Sequence, residues 1–228
     1  AAAFARGLPA SFDDIRSEAE STTRHGKLRR IDAQQVGREV IVTFSYATGD
    51  AQGMNMIVRA TEQACQWIMA RERARRFYVF SGLCSEKRAS GALFAGGKGK
   101  KVVAGARLPA ALVRTHLHTT PRQLCDVWTH TMIGHMQAHA VGYNAHFAKG
   151  LAAIFIACGQ DVANVLNAAV GLTHFEATDS GDLYASVTLP SLTVATVGGG
   201  TGLGTGRECL EMLGCAGSGG APKLAEIV

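Results

Sequence analysis

The chain has 228 residues, of which 47% are hydrophobic and 18% charged, enough apolar material for a substantial core in one or two domains. Its 23 basic and 18 acidic residues leave a formal net charge of +5, and this excess is scattered along the chain. The balance argues against a nucleic-acid-binding tail. It suits a phosphate-rich small molecule, because Lys and Arg form charge-assisted hydrogen bonds with phosphate oxygens.

The first third of the chain predicts helices alternating with strands. Phe12–Leu28 has acidic residues early and basic residues late, which suits a helix dipole. Gly37–Tyr46 alternates apolar and polar residues as a half-buried strand does, and Met54–Ala70 repeats apolar residues at three- and four-residue intervals as an amphipathic helix does. A second strand is predicted at Phe77–Phe80.

The remainder of the chain predicts one more strand, then a mainly helical half that includes a strand pair. Because helices and strands intermix with few tight hairpins, the pattern favours an α+β fold. The predicted strands are Lys101–Leu108, Thr173–Ala177 and Leu183–Thr188, and the predicted helices run to His118, onward from Pro121, over Tyr143–Ala157 and Asp161–Asn167, and through Glu208–Leu213.

Cysteine usage and apolar run lengths bound the compartment. The six cysteines form no CxxC pair and no repeated spacing, which predicts reduced core thiols in the cytoplasm rather than a disulfide or metal framework. The longest apolar run, Gly150–Cys158, is about half of what a bilayer-spanning helix needs. The start of the chain lacks the order of a signal peptide. We therefore expect no membrane contact in the visible chain, with an anchor outside it left open.

A glycine-bearing turn at Gly49–Met56 joins a predicted strand to a predicted helix. Backbone amides at a helix N-terminus attract phosphate groups, and glycine lets a ligand approach them closely. The turn lacks the GxGxxG dinucleotide pattern, so a plain connection with Asp50 capping the helix explains it equally well.

Two further segments are candidates for a polar site. Asp161 lies between two apolar helices, where it either caps the second helix or holds a buried cation, and Lys87 in a polar loop is a possible partner. Val197–Thr201 contains a run of glycines that lets the backbone pass close to a ligand or to another part of the chain.

In order and wording, these segments resemble the catalytic domain of the 3-hydroxy-3-methylglutaryl-coenzyme A (HMG-CoA) reductase family. That family's DAMGMN motif matches DAQGMN here, and its GYNAHAAN, GQD and TVGGGT strings match GYNAHFAK, GQD and TVGGGT at similar intervals. The resemblance spans nearly the whole chain. The matching residues are 50–55, 99–103, 142–149, 159–161, 182–184 and 196–201.

The resemblance implies a fold and a reaction. The fold would be a small ferredoxin-like nucleotide-binding domain, residues 1–80, joined to a larger mainly helical domain, residues 81–228, that binds the coenzyme A thioester. The reaction would be the NADPH-dependent conversion of HMG-CoA to mevalonate and free coenzyme A by two hydride transfers, in the mevalonate route of isoprenoid and sterol biosynthesis. Because the family completes its active site across a subunit interface, a homodimer or larger homo-oligomer is expected.

The resemblance also assigns residues to roles. It implies that Lys87 stabilises the oxyanion and that Asp161 holds this lysine in a hydrogen-bond network. It implies further that Thr23 and Arg24 grip the ribose phosphate, which favours NADPH over NADH. The other implied cofactor residues are Asp50, Gln52, Gly53, Met54, Asn55, Val197 and Gly198, and the implied substrate residues are Ser81, His130 and Lys149.

Several positions depart from the family pattern. His130 falls at about the sequence position of a substrate-contacting lysine of the family. Lys149 replaces an asparagine of the family, and Glu86 and Gln52 replace an aspartate and a methionine. The family's catalytic glutamate and its thiolate-protonating histidine are expected in segments upstream and downstream of this chain, whose ends resemble arbitrary cuts. The alternative function is therefore a non-catalytic nucleotide-binding homologue of the same fold.

The histidines at 130, 135 and 139 permit one other hypothesis. Their four- and five-residue spacing can align imidazoles on one side of a helix, as in a metal site. Solvated or core histidines explain the spacing more simply, and the family uses no metal, so no metal site is predicted.

Overall fold

Residues 1–72 and 74–228 are described by the computed structural model, which divides the chain into two units, Ala1–Cys84 and Ser85–Val228. Each unit combines helices with an antiparallel sheet, so the mixed helix-and-sheet class is confirmed. The predicted domain boundary after residue 80 lies a few residues before the division seen here.

The first unit packs helices against a two-stranded hairpin. The hairpin strands pair antiparallel around a turn at Gly37, whose φ is +59°. The core forms where apolar residues spaced three and four apart on the helices meet the sheet, and it includes Ile15, Leu28 and Ile68. The elements are α1 (Ala2–Gly7), a 3-10 helix at Leu8–Ser11, α2 (Phe12–Glu20), β1 (Lys27–Val36), β2 (Glu39–Ala47) and α3 (Met54–Arg71).

The predicted helix Phe12–Leu28 is wrong in its second half. The helix ends at Glu20, whose carboxylate pairs with Lys27 Nζ at 2.9 Å and accepts a hydrogen bond from the backbone N–H of Leu28 at 3.1 Å. The hydrogen bond from Lys27 lowers the pKa of Glu20 below its usual value. The late basic residues therefore begin a strand and pair back to the helix end.

The predicted strand at Phe77–Phe80 is also wrong, since these four residues form no strand. Tyr78 and Phe80 are largely exposed. The strand preference of aromatic and β-branched residues arises from packing against side chains of a neighbouring strand. Such residues therefore favour a strand only where a neighbouring strand is present.

The second unit surrounds a three-stranded antiparallel sheet, ordered β3-β5-β4, with helices. Its elements are a 3-10 helix at Gly91–Ala95, β3 (Lys100–Leu108), α4 (Ala110–Leu117), α5 (Pro121–Gln137), α6 (Phe147–Ala157), a 3-10 helix at Val162–Asn164, α7 (Val165–Ala168), β4 (Leu172–Ala177), β5 (Leu183–Leu192), a 3-10 helix at Gly199–Gly202, α8 (Gly204–Met212) and α9 (Gly220–Ile227).

The core of the second unit lies where α6, α8 and α9 meet the end of β5. Phe155, Leu192, Leu210 and Leu224 are fully buried in it. The apolar residues of β5 continue beyond the predicted strand end at residue 188, and the strand extends with them to Leu192. This core fixes the loops that follow α6 and β5, which carry two of the candidate site segments.

All six cysteines are free thiols. Cys158 and Cys215 are buried in the core of the second unit, and burial raises the pKa of both thiols. Cys84 is exposed, so the expected core position is wrong for that residue. No helix within residues 1–72 and 74–228 is long and apolar enough to cross a membrane.

Candidate active site

An ion pair joins the two residues predicted to be catalytic. Lys87 Nζ lies 2.7 Å from Asp161 Oδ2, and the two side chains are 42% and 36% exposed. Asp161 Oδ1 also accepts a hydrogen bond from the backbone N–H of Ala163 at 3.1 Å, which caps the 3-10 helix that follows. Asp161 therefore caps the 3-10 helix with one carboxylate oxygen and pairs with a cation through the other, but this cation is partly exposed and not buried as predicted.

The loop that carries Lys87 is anchored by its neighbours. Glu86 is 9% exposed and forms an ion pair with Lys98. The Arg88 guanidinium donates to the carbonyl oxygen of Glu86 at 3.3 Å. Glu86 is thus buried, whereas the Lys87 side chain beside it in sequence is 42% exposed.

The segment before Asp161 packs directly on the glycine run. A Cβ on Gly200 would lie 2.5 Å from the carbonyl oxygen of Gly159, so the two backbones are in contact. The Gln160 side chain donates to the carbonyl of Ala195 at 2.9 Å and accepts from its N–H at 2.8 Å. Gly198 faces open space, with a φ of +83°. The glycine run thus packs against Gly159 at its Gly200 end, whereas its backbone at Gly198 is not covered by other described residues.

In the first unit, the two predicted cofactor segments lie at the same end of the hairpin. Lys27 pairs with Ala47, so the turn 23–26 before β1 adjoins the turn 48–53 after β2. A Cβ on the last glycine of either turn would lie 3.3 or 2.9 Å from the terminal methyl carbon of Met56. Met56 therefore packs against both turns and holds them together.

The turn at Thr23 is closed by its own hydroxyl group. Thr23 Oγ1 accepts hydrogen bonds from the backbone N–H groups of His25 and Gly26, each at 3.1 Å. Arg24 is exposed beside this turn. The two hydrogen bonds fix the backbone of the turn, and the Arg24 guanidinium remains accessible to a ligand.

The helix α3 begins at Met54, directly after Gly53, whose φ is +71°. The N-cap residue of this helix is Gly53, which has no side chain, and capping by Asp50 stays a prediction. The first turn contains no acidic residue. Its backbone N–H groups, with the partial positive charge of the helix end, therefore suit an anionic or polar ligand group.

The sequence profile of the family described as Hydroxymethylglutaryl-coenzyme A reductase matches residues 1–228. The chain belongs to this family. It is 43% identical over 221 residues to a 3-hydroxy-3-methylglutaryl-coenzyme A reductase of Methanothermobacter thermautotrophicus, covering 96% of this chain and 55% of that protein. A reductase of Methanocaldococcus jannaschii is 44% identical over 225 residues, again covering 96% and 55%. The chain spans about half the length of the curated relatives it matches.

A solved structure has a similar fold. It is the class II 3-hydroxy-3-methylglutaryl-CoA reductase from Streptococcus pneumoniae bound to NADPH, with a TM-score of 0.66. The likeness covers 97% of this chain and 62% of that one, at 17% identity. At that identity it supports the fold of the HMG-CoA reductase family and nothing finer.

The three substrate residues implied by the HMG-CoA reductase family are all exposed. His130 lies on α5, Lys149 lies on α6, and Ser81 Oγ accepts from the backbone N–H of Leu83 at 3.2 Å. In the part of the chain that the structure describes, no hydrogen bond or ion pair joins His130 or Lys149 to Lys87 or Asp161. The structure thus pairs Lys87 with Asp161, whereas the roles of the three substrate residues stay predictions.

The three histidines at 130, 135 and 139 differ in their environments. His135 stacks on Tyr143, with ring centroids 5.9 Å apart, whereas His130 and His139 are exposed. Within the described ranges, no group of three or more His, Cys, Asp or Glu side chains is arranged to hold a metal ion.

Sequence reasoning missed two residues that support the Lys87 loop. Lys98 pairs with Glu86, and the fully buried Asn167 contacts the backbone of Lys87. A polar Asn in the apolar stretch 162–170 was the available signal, because a buried carboxamide is costly unless it is hydrogen-bonded.

Proposed function

We propose that this chain is part of an NADPH-dependent HMG-CoA reductase, which converts HMG-CoA to mevalonate and free coenzyme A by two hydride transfers. The observation that carries the proposal is the ion pair of Lys87 and Asp161, at 2.7 Å, in a chain that belongs to the reductase family over its full length. The alternative is a homologue of the same fold that binds the nucleotide but does not catalyse the reaction. No structural observation favours this alternative.

Lys87 would act on the oxygen that becomes negative. Hydride addition to a thioester or aldehyde carbonyl places negative charge on oxygen, and a fixed ammonium beside it stabilises that charge. An ammonium has three N–H donors, so the Lys87 group paired with Asp161 keeps donors for a substrate oxygen. Asp161 is held in turn by its cap on Ala163, which fixes the direction of the pair.

The residues of the first unit fit the proposed cofactor. Arg24 is exposed beside the closed Thr23 turn, and the adjoining turn 48–53 leads into the first turn of α3, which contains no acidic residue. A guanidinium binds two phosphate oxygens at once, which favours the 2′-phosphate of NADPH over the hydroxyl of NADH. Bound NADPH would supply the hydride, and the turn 50–55 would contact it in the first unit. In the second unit, the family resemblance gives Val197 and Gly198 as further cofactor residues.

The order of elements in the first unit supports the finer fold. A ferredoxin-like domain has the order βαββαβ. The elements α2, β1, β2 and α3 reproduce its central αββα, with the two strands adjacent and antiparallel. We propose this domain for residues up to about 80, a mainly helical thioester-binding domain beyond it, a homodimer or larger homo-oligomer as the assembly, and the cytoplasm as the compartment.

The test is NADPH oxidation by the purified full-length protein, followed at the nicotinamide absorbance band. Oxidation is expected only when HMG-CoA is added, and Lys87→Ala is expected to abolish it. The matched control is Lys101→Ala, which removes an exposed lysine on β3 and is expected to keep the parent rate. If calorimetry detects NADPH binding while HMG-CoA causes no oxidation, the chain is a non-catalytic homologue and the proposal is wrong.

A further inference from the structure

One short segment, residues 161–168, contacts both the ammonium group and the backbone of Lys87. Asp161 Oδ2 pairs with Nζ at 2.7 Å, while Asn167 Oδ1 accepts a hydrogen bond from the backbone N–H of the same lysine at 3.2 Å. The two acceptors lie on the 3-10 helix and α7 that follow one another over residues 161–168. The ammonium and the backbone of Lys87 are therefore both fixed relative to this one short segment.

The carboxamide of Asn167 is itself held in one orientation. Asn167 is fully buried, and its Nδ2 donates to Thr193 Oγ1 at 2.9 Å. Thr193 Oγ1 donates in turn to the carbonyl of Ser191 at 3.3 Å, close to the end of β5. With the amide nitrogen bonded to the Thr193 hydroxyl, the amide oxygen faces the N–H of Lys87, and reversing the group would place two donors against each other at Lys87.

The Lys87 backbone is in a conformation that needs support. Its φ is +54°, in the left-handed region that side-chain-bearing residues rarely adopt. Such a conformation persists when surrounding contacts determine it. The second contact point of the loop is Ser191 Oγ, which donates to the carbonyl of Leu93 at 3.2 Å from a fully buried position. The loop is thus tied to the β5 end at two points, at Lys87 through Asn167 and Thr193, and at Leu93 through Ser191.

We propose that Asn167 is a positioning residue: its carboxamide fixes the left-handed backbone of Lys87, and so keeps the ammonium beside Asp161 in the direction that the reaction needs. The catalytic consequence rests on the proposed function, whereas the effect on the Lys87 side chain does not. Asn167 is buried beneath the lysine and acts through it.

The experiment compares Asn167→Ala with Asn167→Asp in the full-length protein. Alanine removes the acceptor, so kcat is expected to fall about tenfold, the effect of losing one hydrogen bond of a buried network, with the KM for NADPH unchanged. Aspartate keeps an oxygen at the same place and is expected to recover most of kcat. The rate at which acetic anhydride acetylates Lys87, measured by peptide mass spectrometry, is expected to rise severalfold in Asn167→Ala because the ion pair loosens.

The matched control is Asn144→Ala. The Asn144 side chain donates to the carbonyls of Ala169 and Gly171 at 3.0 and 3.2 Å and accepts from the backbone N–H of Phe147 at 3.2 Å, and none of these bonds reaches the Lys87 loop. It is expected to lower thermal stability without changing acetylation at Lys87. Should Asn167→Ala fail to fold, Thr193→Val removes the hydroxyl that orients the carboxamide and is expected to shift the acetylation rate in the same direction.

The outcomes separate the two proposals. A folded Asn167→Ala protein that keeps the parent acetylation rate at Lys87 overturns the positioning role, whatever its activity. Equal loss of kcat in Asn167→Ala and Asn167→Asp also counts against it, because the retained oxygen should matter. If the parent protein does not oxidise NADPH with HMG-CoA, the reductase proposal fails, and acetylation of the variants still decides whether Asn167 positions Lys87.

Discussion

Gly159 and Gly200 are in backbone contact, and neither position has room for a Cβ atom. A Cβ on Gly200 would lie 2.5 Å from the carbonyl oxygen of Gly159, and Gly159 has a φ of +62°. This contact sets the distance between the glycine run and the loop that presents Asp161. Any side chain between the two segments would move the carboxylate that holds Lys87.

Replacing Gly159 with alanine is therefore expected to lower the free energy of unfolding by about 2 kcal/mol or more, because a clash is added to an unfavourable φ. Urea denaturation of the full-length protein measures the change. The control is Gly202→Ala, since a Cβ there meets nothing within 4 Å and the position is exposed. Equal stability of the two variants would contradict the packing role.

The two oxygens of Asp161 allow its two contacts to be separated. Asp161→Asn keeps an oxygen for the N–H of Ala163 and loses the charge that pairs with Lys87, so near-parent stability is expected with a large loss of turnover. Asp161→Ala loses both contacts, and is expected to cost about 1 kcal/mol more in unfolding free energy, the usual effect of a lost helix cap. Thermal melting and NADPH oxidation measure the two effects. Full activity in Asp161→Asn would show that the charge is not needed.

Alanine substitutions at two glycines of the turn 48–53 would distinguish the cost of backbone strain from the cost of steric crowding. Gly49 and Gly53 both have positive φ, +66° and +71°, but only a Cβ on Gly53 would crowd Thr48 and Met56, each at 2.9 Å. Gly49→Ala is expected to cost about 1–2 kcal/mol from the backbone alone. Gly53→Ala is expected to cost more and to weaken NADPH binding, measured by calorimetry. Equal effects would mean that crowding at the start of α3 is relieved without cost.

Local periodicity predicted the elements that have a one-sided apolar face. The helix expected over Met54–Ala70 is observed as Met54–Arg71, because its apolar residues at three- and four-residue intervals meet a single sheet face. The strand Lys27–Val36 was missed, since its pairing with β2 and not its own alternation makes it a strand. Charges that suit a helix end also suit an ion pair across a turn, as Lys27 and Glu20 show.

The candidate site was predictable partly from the residues and partly from the family resemblance. Lys87 and Asp161 are far apart in sequence, and no spacing rule joins them. The polar loop and the Asp between apolar helices made the pair possible, the resemblance gave both residues a role, and the structure pairs them. Asn167 and Lys98 support the same loop but belong to none of the matched segments. Their partners are set by how the loop folds over the end of β5, which a single sequence does not contain.

Arg24 is expected to decide between the two nicotinamide cofactors. Removing a guanidinium that binds a 2′-phosphate loses charge-assisted hydrogen bonds, so Arg24→Ala is expected to raise the KM for NADPH about tenfold or more and to leave the KM for NADH nearly unchanged. Steady-state kinetics with each cofactor measure this. The control is Arg29→Ala, at an exposed arginine on β1. Equal changes for both cofactors would contradict phosphate recognition by Arg24.

The half-buried thiol of Cys65 is expected to make stability fall at alkaline pH. Burial on α3 raises the pKa of Cys65 from 9.0 to about 11. Below pH 9.0 the folded and unfolded chains both keep the proton; between pH 9.0 and about 11 the unfolded chain ionises first, so rising pH favours unfolding. In urea denaturation across this range, Cys65→Ala should lose less stability than the parent, whereas Cys84→Ala, at an exposed cysteine, should follow the parent. Identical slopes for the parent and Cys65→Ala would exclude this thiol as the cause.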